Sequence, residues 1–468
     1  MSENFLKEGF VISNGSANKI IVIDSFSDLN LLCKYIVGLS NAFLLSDNSK
    51  SFLTIKSSLN KNDLANDLSV VIRKKIKPIN VFRIDKDSLN STQSIILVCS
   101  PLNMPATCDG NEYLLENDSL IALKDYPNLR AALWEKAILN TSENQTCLRS
   151  IAHKDIAHYL DIEKYYSLKS KSVPTDFNVV IEGLSNDGFV KNTDKKKLDI
   201  TILGMLCIAT SFSDIPSLSG SKIEVVKYEN DSRISSTSSP LIFEKGYLFS
   251  FGEIIKSVSN IMGRKETFKS GLRIIEEEIP SLIIRELLSN AMIHQNLNPV
   301  ATHILIECFP KRMEIYSPGR MSIDPKRVLD MAPMPENRHL VEVLARFGIG
   351  EGHGTGYDKI IESTEEYMLP SPIIKIEEYG TRIIVFKRKD WLDYDEEEKL
   401  SAIYNHVSMK YVNNQKASNE TIRNRFGIKE TNKAQISRLI SKAIENGLIK
   451  KSSNSTGTRN TTYLPYWA

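Results

Sequence analysis

The sequence predicts a multidomain α+β protein, and three observations carry that reading. Strand-like and helical periodicities alternate along the chain, a polar helix face near its middle is answered downstream by a glycine run, and basic charge gathers at its C-terminal end. The 468 residues are enough for three or four domains, and 41% hydrophobic with 25% charged residues is a globular rather than a disordered composition.

Composition also narrows the function classes. The six cysteines are scattered without a Cys-x-x-Cys pair, so neither a zinc site nor a disulfide framework is expected, and a reduced, cytoplasmic setting fits them. The first residues carry no basic segment followed by a long apolar run, and the most apolar later stretch, Leu198–Phe212, is interrupted by Asp199 and Thr201. No membrane partner is expected. The sequence contains no Gly-Lys dipeptide, which excludes a phosphate cradle of the P-loop type.

Residues 1–138 mix strand-like runs (Lys19–Ile23, Ser51–Ile55, Ser94–Cys99) with helical ones (Leu29–Leu39, Lys61–Ile76), the pattern of an α+β domain. Residues 139–240 read as a connecting domain, with a helical stretch opening at Asp155–Leu160, a break at Val173-Pro174, and a polar, turn-rich end over Asp231–Pro240.

The next domain, 241–392, holds the chemistry. Glu286, Asn290 and His294 fall at i, i+4 and i+8, a stripe along one helix face with a drift of about 40° per step. Ile283, Ile284, Leu287, Leu288, Ala291 and Ile293 cover much of the remaining circumference, and Pro280 suits the helix start. A carboxylate and a carboxamide one turn apart can hold a water and a hard cation beside a phosphate. The same spacing also describes an ordinary solvated face. Downstream, Gly350, Gly352, Gly354 and Gly356 leave the backbone free to bring amide N–H groups close to an anion, and Tyr357–Glu362 reads as the helix that follows. A mobile surface loop is the alternative there. Between the two motifs, His303–Phe309 and Arg312–Ser317 read as a hairpin closed by a Ser317-Pro318-Gly319 turn.

These motifs resemble the ATP-binding domain of the RecG-like transcriptional regulators, a divergent branch of the GHKL ATPases with an α/β sandwich fold, over residues 240–390. The resemblance implies Glu286 as the water-activating carboxylate, Asn290 as the Mg²⁺ ligand, and His294 and Asn337 in the nucleotide site. It also implies Gly319 beneath adenine, and Gly350, Gly352, Gly354 and Gly356 in a lid over the phosphates. ATP and Mg²⁺ are thus the expected cofactors, with weak ATPase activity left open. The wider superfamily holds the adenine amino group with an Asp before the first glycine turn, whereas here no Asp occurs until Asp324. In the same family a Schlafen AlbA-type module precedes this domain, and residues 1–138 are similar to it in degenerate form.

Residues 393–468 form the basic part. From Ser401 onward there are eleven Lys and Arg against three Glu, a surplus of eight, although the whole chain carries only +2. Helical patterns over Leu400–Val407, Ser418–Phe426 and Lys433–Asn446, then two strand-like segments, predict a winged helix-turn-helix. Lys433, Gln435, Arg438 and Lys442 fall on the outward side of its third helix and Lys450, Lys451 and Arg459 on the wing, placed for double-stranded DNA. The alternative for such a module is protein contact or dimerisation.

The combined expectation is a cytoplasmic, homo-oligomeric regulator whose nucleotide site modulates DNA engagement. Two rival readings are a nucleotide-hydrolysing effector acting against foreign nucleic acid and a DNA-binding protein with a vestigial pocket.

Overall fold

A computed structural model describes the chain except for residues 1–7, 14–15, 24–28, 46–49, 58–71, 73–74, 78–80, 91–92, 100, 102–103, 117–118, 140–141, 195, 214, 270–271, 298–301, 322, 332–334, 351–354 and 453–460. It is a mixed α+β, multidomain structure of two compact units, Met1–Gln145 and Thr146–Ala468.

In the first unit a five-stranded sheet runs in the order 8–13, 16–23, 50–57, 93–99, 82–90, with 16–23 and 50–57 parallel. A four-stranded sheet follows from 76–77, 107–108, 111–116 and 119–122. The helix Leu29–Leu45 buries Leu32, Cys33, Ile36 and Val37. Its Asn41, also buried, donates to the carbonyls of Ala106 and Tyr113 and accepts from Ala106 N–H, so its amide is satisfied inside the core. Most of the helix expected over Lys61–Ile76 lies outside the described residues, and Ile76 itself is in a strand.

The second unit is organised around a six-stranded sheet of β1 (Ile223–Lys227), β2 (Leu241–Phe243), β5 (Ile304–Cys308), β6 (Arg312–Pro318), β7 (Ile373–Ile376) and β8 (Gly380–Phe386), ordered β2-β1-β5-β6-β8-β7. Between β2 and β5 the chain forms α1 (Tyr247–Met262), a separate hairpin of β3 (Arg264–Lys269) and β4 (Leu272–Glu277), and α2 (Ser281–Ile293). The β5–β6 hairpin follows the expected pattern. β1 was expected in the connecting domain, yet it pairs in parallel with β5, Ile223 opposite Ile304 through Lys227 opposite Cys308. The sheet therefore begins earlier than residue 241.

Alternation along the strands decides what each face does. Ile304, Ile306, Met313, Ile315, Ile383 and Val385 point into the same core as Ile254 and Val258 of α1 and Ile283, Leu287 and Leu288 of α2. The other face carries Glu307 and Glu314, direct cross-strand partners and both buried. Arg233 binds both carboxylates, with contacts of 2.9 Å to Glu307, and Arg382 contacts both as well, at 3.3 Å to Glu314. Arg312 adds a 2.7 Å contact to Glu314. Two like charges side by side are tolerable here because three guanidiniums surround them.

Beyond the sheet lie α3 (Arg338–Arg346) and α4 (Gly356–Glu366), then α5 (Glu396–Val412), β9 (Ala417–Ser418), α6 (Asn419–Arg425), α7 (Lys433–Glu445), β10 (Ile449–Lys451) and β11 (Thr462–Pro465). α5 begins in a capping box, Asp395 accepting from Glu398 N–H while Glu398 accepts from Asp395 N–H, and α6 begins in another built from Ser418 and Thr421. The last three strands pair in the order β9-β11-β10, and Ile403, Val407, Ile422, Ile436 and Ile440 form the core beneath them. β9 is a strand that the local pattern did not announce. It exists only through its pairing with β11, some 45 residues away.

Candidate functional site

A cavity of about 250 Å³ opens between α2, the ends of β6 and β8, the loop after β6, and the start of α4. α2 begins after Pro280, and its polar stripe reaches the cavity because the apolar remainder of the helix is held against the sheet. Glu286, Asn290 and His294 all line it. The carboxylate-bearing residue is only 5% exposed, so it belongs to the cavity wall rather than to a solvated face. Burial lowers the pKa of the His294 imidazole, which keeps it neutral at pH 7.

Two glycines permit the close approach on which this geometry rests. A Cβ at Gly356 would lie 2.9 Å from Glu286 Oε2 and 3.6 Å from the Asn290 carboxamide atoms. Gly319, at φ +134°, brings its Cα against the backbone of α2's end, where a Cβ would lie 2.4 Å from the carbonyl oxygen of His294. Gly350 also lines the cavity, with Ser289 Oγ only 2.7 Å from where its Cβ would be. Gly352 and Gly354 lie outside the described residues.

At the sheet end of the cavity, hydroxyls are tied to backbone. Ser317 Oγ donates to the Ala291 carbonyl at 2.9 Å, and Thr381 Oγ1 donates to the Gly319 carbonyl at 2.8 Å while accepting from Met321 N–H. Ile315, Met321, Val328, Met331 and Ile383 supply apolar wall, suited to a flat ring system. Asp324 caps the turn Pro325–Arg327 through Lys326 N–H and does not line the cavity.

Asn337 is placed differently from its expected role. It is buried, and its amide donates to the carbonyls of Ile293 at 3.0 Å and Gln295 at 2.9 Å, outside the cavity lining. It braces the C-terminal end of α2. Ser289, Thr381 and Tyr357 line the cavity without having been singled out in the sequence. Ser289 sits three residues after Glu286, so helical periodicity contained that signal; Thr381 arrives only through its pairing with Ser317, which no local pattern reveals.

The donor set fits a Mg-nucleotide. Among the described residues no cluster of three or more His, Cys, Asp or Glu could hold a metal, but Mg²⁺ keeps most of its water and needs only one or two protein oxygens. Asn290 offers such an oxygen, with the Glu286 carboxylate one turn away, beside a cradle that a Cβ at Gly356 would fill.

The C-terminal candidates fall into three groups. Lys433, Gln435 and Arg438 are exposed on α7, opposite the buried Ile436, Ile440 and Ala443, and Lys450 and Lys451 are exposed on β10. Lys442 is exposed but ion-paired with Glu396. Arg459 lies outside the described residues.

Residues 301–385 match the family described as "Putative ATP-dependent DNA helicase recG C-terminal". This supports an ATPase-type domain around the cavity. The matched segment contains Gly319 and the glycine run, while Glu286 and Asn290 precede it. No curated protein matches the chain. Among solved structures, the chain is similar to the DIP2311 protein from Corynebacterium diphtheriae, at 13% identity and a TM-score of 0.45, over 97% of this chain and 94% of that one. No helix among the described residues is long and apolar enough to cross a membrane.

Proposed function

We propose that this protein is a nucleotide-responsive, DNA-binding regulator whose central GHKL-like domain binds Mg-ATP. The observation that carries the reading is that Glu286 and Asn290 face the same cavity as Gly350 and Gly356. Asn290 would supply an oxygen to Mg²⁺, Glu286 would orient water, and the backbone at Gly350 and Gly356 would lie against the phosphates. Bound Mg²⁺ would neutralise phosphate charge. The family description mentions a helicase, but the chain has no Gly-Lys dipeptide and P-loop unwinding forms no part of this reading.

The DNA half of the proposal rests on three helices with a three-stranded sheet, one strand between α5 and α6 and two after α7, and on α7 presenting Lys433, Gln435 and Arg438 to solvent. That arrangement supports a winged helix-turn-helix placing α7 in a major groove. Lys442, held by Glu396, contributes less. For nucleotide to act as a switch it must bind one arrangement of the domains better than another.

Calorimetry with Mg-ATP tests the site: Asn290→Ala should abolish binding, and Glu286→Ala should retain binding but lose slow hydrolysis. Undiminished binding to Asn290→Ala rejects the assignment. Removing residues 397–468 should remove most DNA affinity across a salt series. The backbone-tied Ser317 and Thr381, with no carboxylate at the β6 turn, favour a second reading in which the pocket is vestigial. The absence of any thermal shift with Mg-ATP would select it.

A further inference from the structure

We propose that the outer edge of β4 is a dimerisation edge, taking the same edge of a second copy of this chain in antiparallel pairing centred on Ile275. Among the described residues β3 and β4 form a sheet of their own, paired from Arg264 opposite Glu277 to Lys269 opposite Leu272 and joined to no other strand. A two-stranded ribbon is marginal in water, and its unpaired main-chain groups are a template for another strand.

The sequence of β4 says which strand. Arg273, Ile275 and Glu277 follow one another on a single face of the ribbon. Ile275 is 60% exposed, and Arg273, exposed as well, is ion-paired across the ribbon with Glu266 of β3, which leaves further guanidinium N–H groups to meet a second carboxylate. A two-fold axis perpendicular to the ribbon through Ile275 sets Ile275 against its own copy and Arg273 against Glu277 of the copy, on both sides of the axis. The order of charges along this face is therefore self-complementary, as a two-fold interface requires. The equivalent pairing of β3, centred on Glu266 opposite Ile275, would instead oppose two like carboxylates. Glu277 Oε2 accepts from Ser281 N–H at 2.6 Å, and among the described residues no other contact is seen at its second oxygen. That bond also ties β4 to the first turn of α2, the helix bearing Glu286. The pairing rests on β4 alone and is independent of the nucleotide reading.

Sedimentation and light scattering of the full chain should give twice the 52.8 kDa chain mass. Ile275→Lys, a charge on the paired edge, should weaken dimerisation by roughly tenfold or more. Across an antiparallel pair the Cα atoms stand about 4.5–5.5 Å apart, within disulfide reach. Ile275→Cys should therefore cross-link to itself with glutathione disulfide. Two thiols lose two protons and two electrons to form the bond, and the glutathione disulfide is reduced to two thiols. Lys265→Cys on β3, treated identically, should remain uncross-linked. A monomer at about 100 μM, far above the Kd of a stable dimer, overturns the proposal. So does a dimer that persists in Ile275→Lys and fails to cross-link through residue 275.

Discussion

His406 Nδ1 lies 3.0 Å from both carboxylate oxygens of Glu365, joining α5 to α4 across the seam between the C-terminal helices and the cavity domain. Arg425 shares the carboxylate at 3.6 Å and donates to the Leu369 carbonyl at 2.7 Å. His406 and Arg425 are buried, and among the described residues His406 Nε2 and Arg425 Nε have no hydrogen-bond partner. Glu365 is thus the carboxylate that both the buried His406 ring and the buried Arg425 guanidinium approach. Replacing it by Ala should cost about 3–5 kcal/mol, as removing one member of a buried ionic set does. Urea denaturation reads that loss. If this seam carries the effect of nucleotide, DNA affinity in a Glu365→Gln chain should no longer respond to Mg-ATP.

Gly356→Ala places a methyl group 2.9 Å from Glu286 Oε2, inside the cradle. Because position 356 opens α4, where alanine is the better helix former, stability should change by no more than about 1 kcal/mol. Nucleotide binding should disappear in calorimetry while the melting temperature barely moves. Coincident loss of both would place the glycine in the fold rather than in the site.

Asp358 has a pKa pushed up to about 6, first by burial and then by the neighbouring Glu362. The folded chain therefore holds this proton more tightly than the unfolded chain. Stability from this group is fully present below the ordinary Asp value near 4 and is lost as pH rises through about 6. Asp358→Asn should raise stability at pH 7.5 by roughly 1 kcal/mol, allowing for partial solvent screening, and flatten the profile over that window. Denaturant midpoints measured across the pH range give the comparison.

Arg382→Met leaves Glu307 and Glu314 facing one another with less cationic cover. The cost should be about 3–5 kcal/mol. Adding Glu314→Gln should recover part of it, because the repulsion falls with the charge. A double-mutant cycle in urea measures the coupling.

The sequence made the local elements legible. α2, the β5–β6 hairpin, α4 and α7 each bear their period, and Gly427 and Gly447 stand where α6 and α7 end. The stripe of Glu286, Asn290 and His294 was readable because a helix fixes which residues share a side. What escaped depended on partners distant in the chain. Val225 of β1 carries no sign that it will lie beside Ile306, Thr381 none that it will face Ser317, and Asn337 reads like any polar residue before a helix until α2's end stands beside it. The C-terminal helices were legible, whereas the sheet beside them was not read in full, since two residues of β9 carry too little pattern to be found alone.

The parallel pairing of β1 with β5 has a practical consequence for dissecting this chain. A recombinant piece starting at residue 241 would discard β1, stripping the row of amides and carbonyls along Ile304–Cys308 and uncovering Ile304 and Ile306, which are otherwise fully buried. Such a piece should be recovered as insoluble material, whereas one starting at Thr146 keeps the strand and with it the cavity's supporting wall.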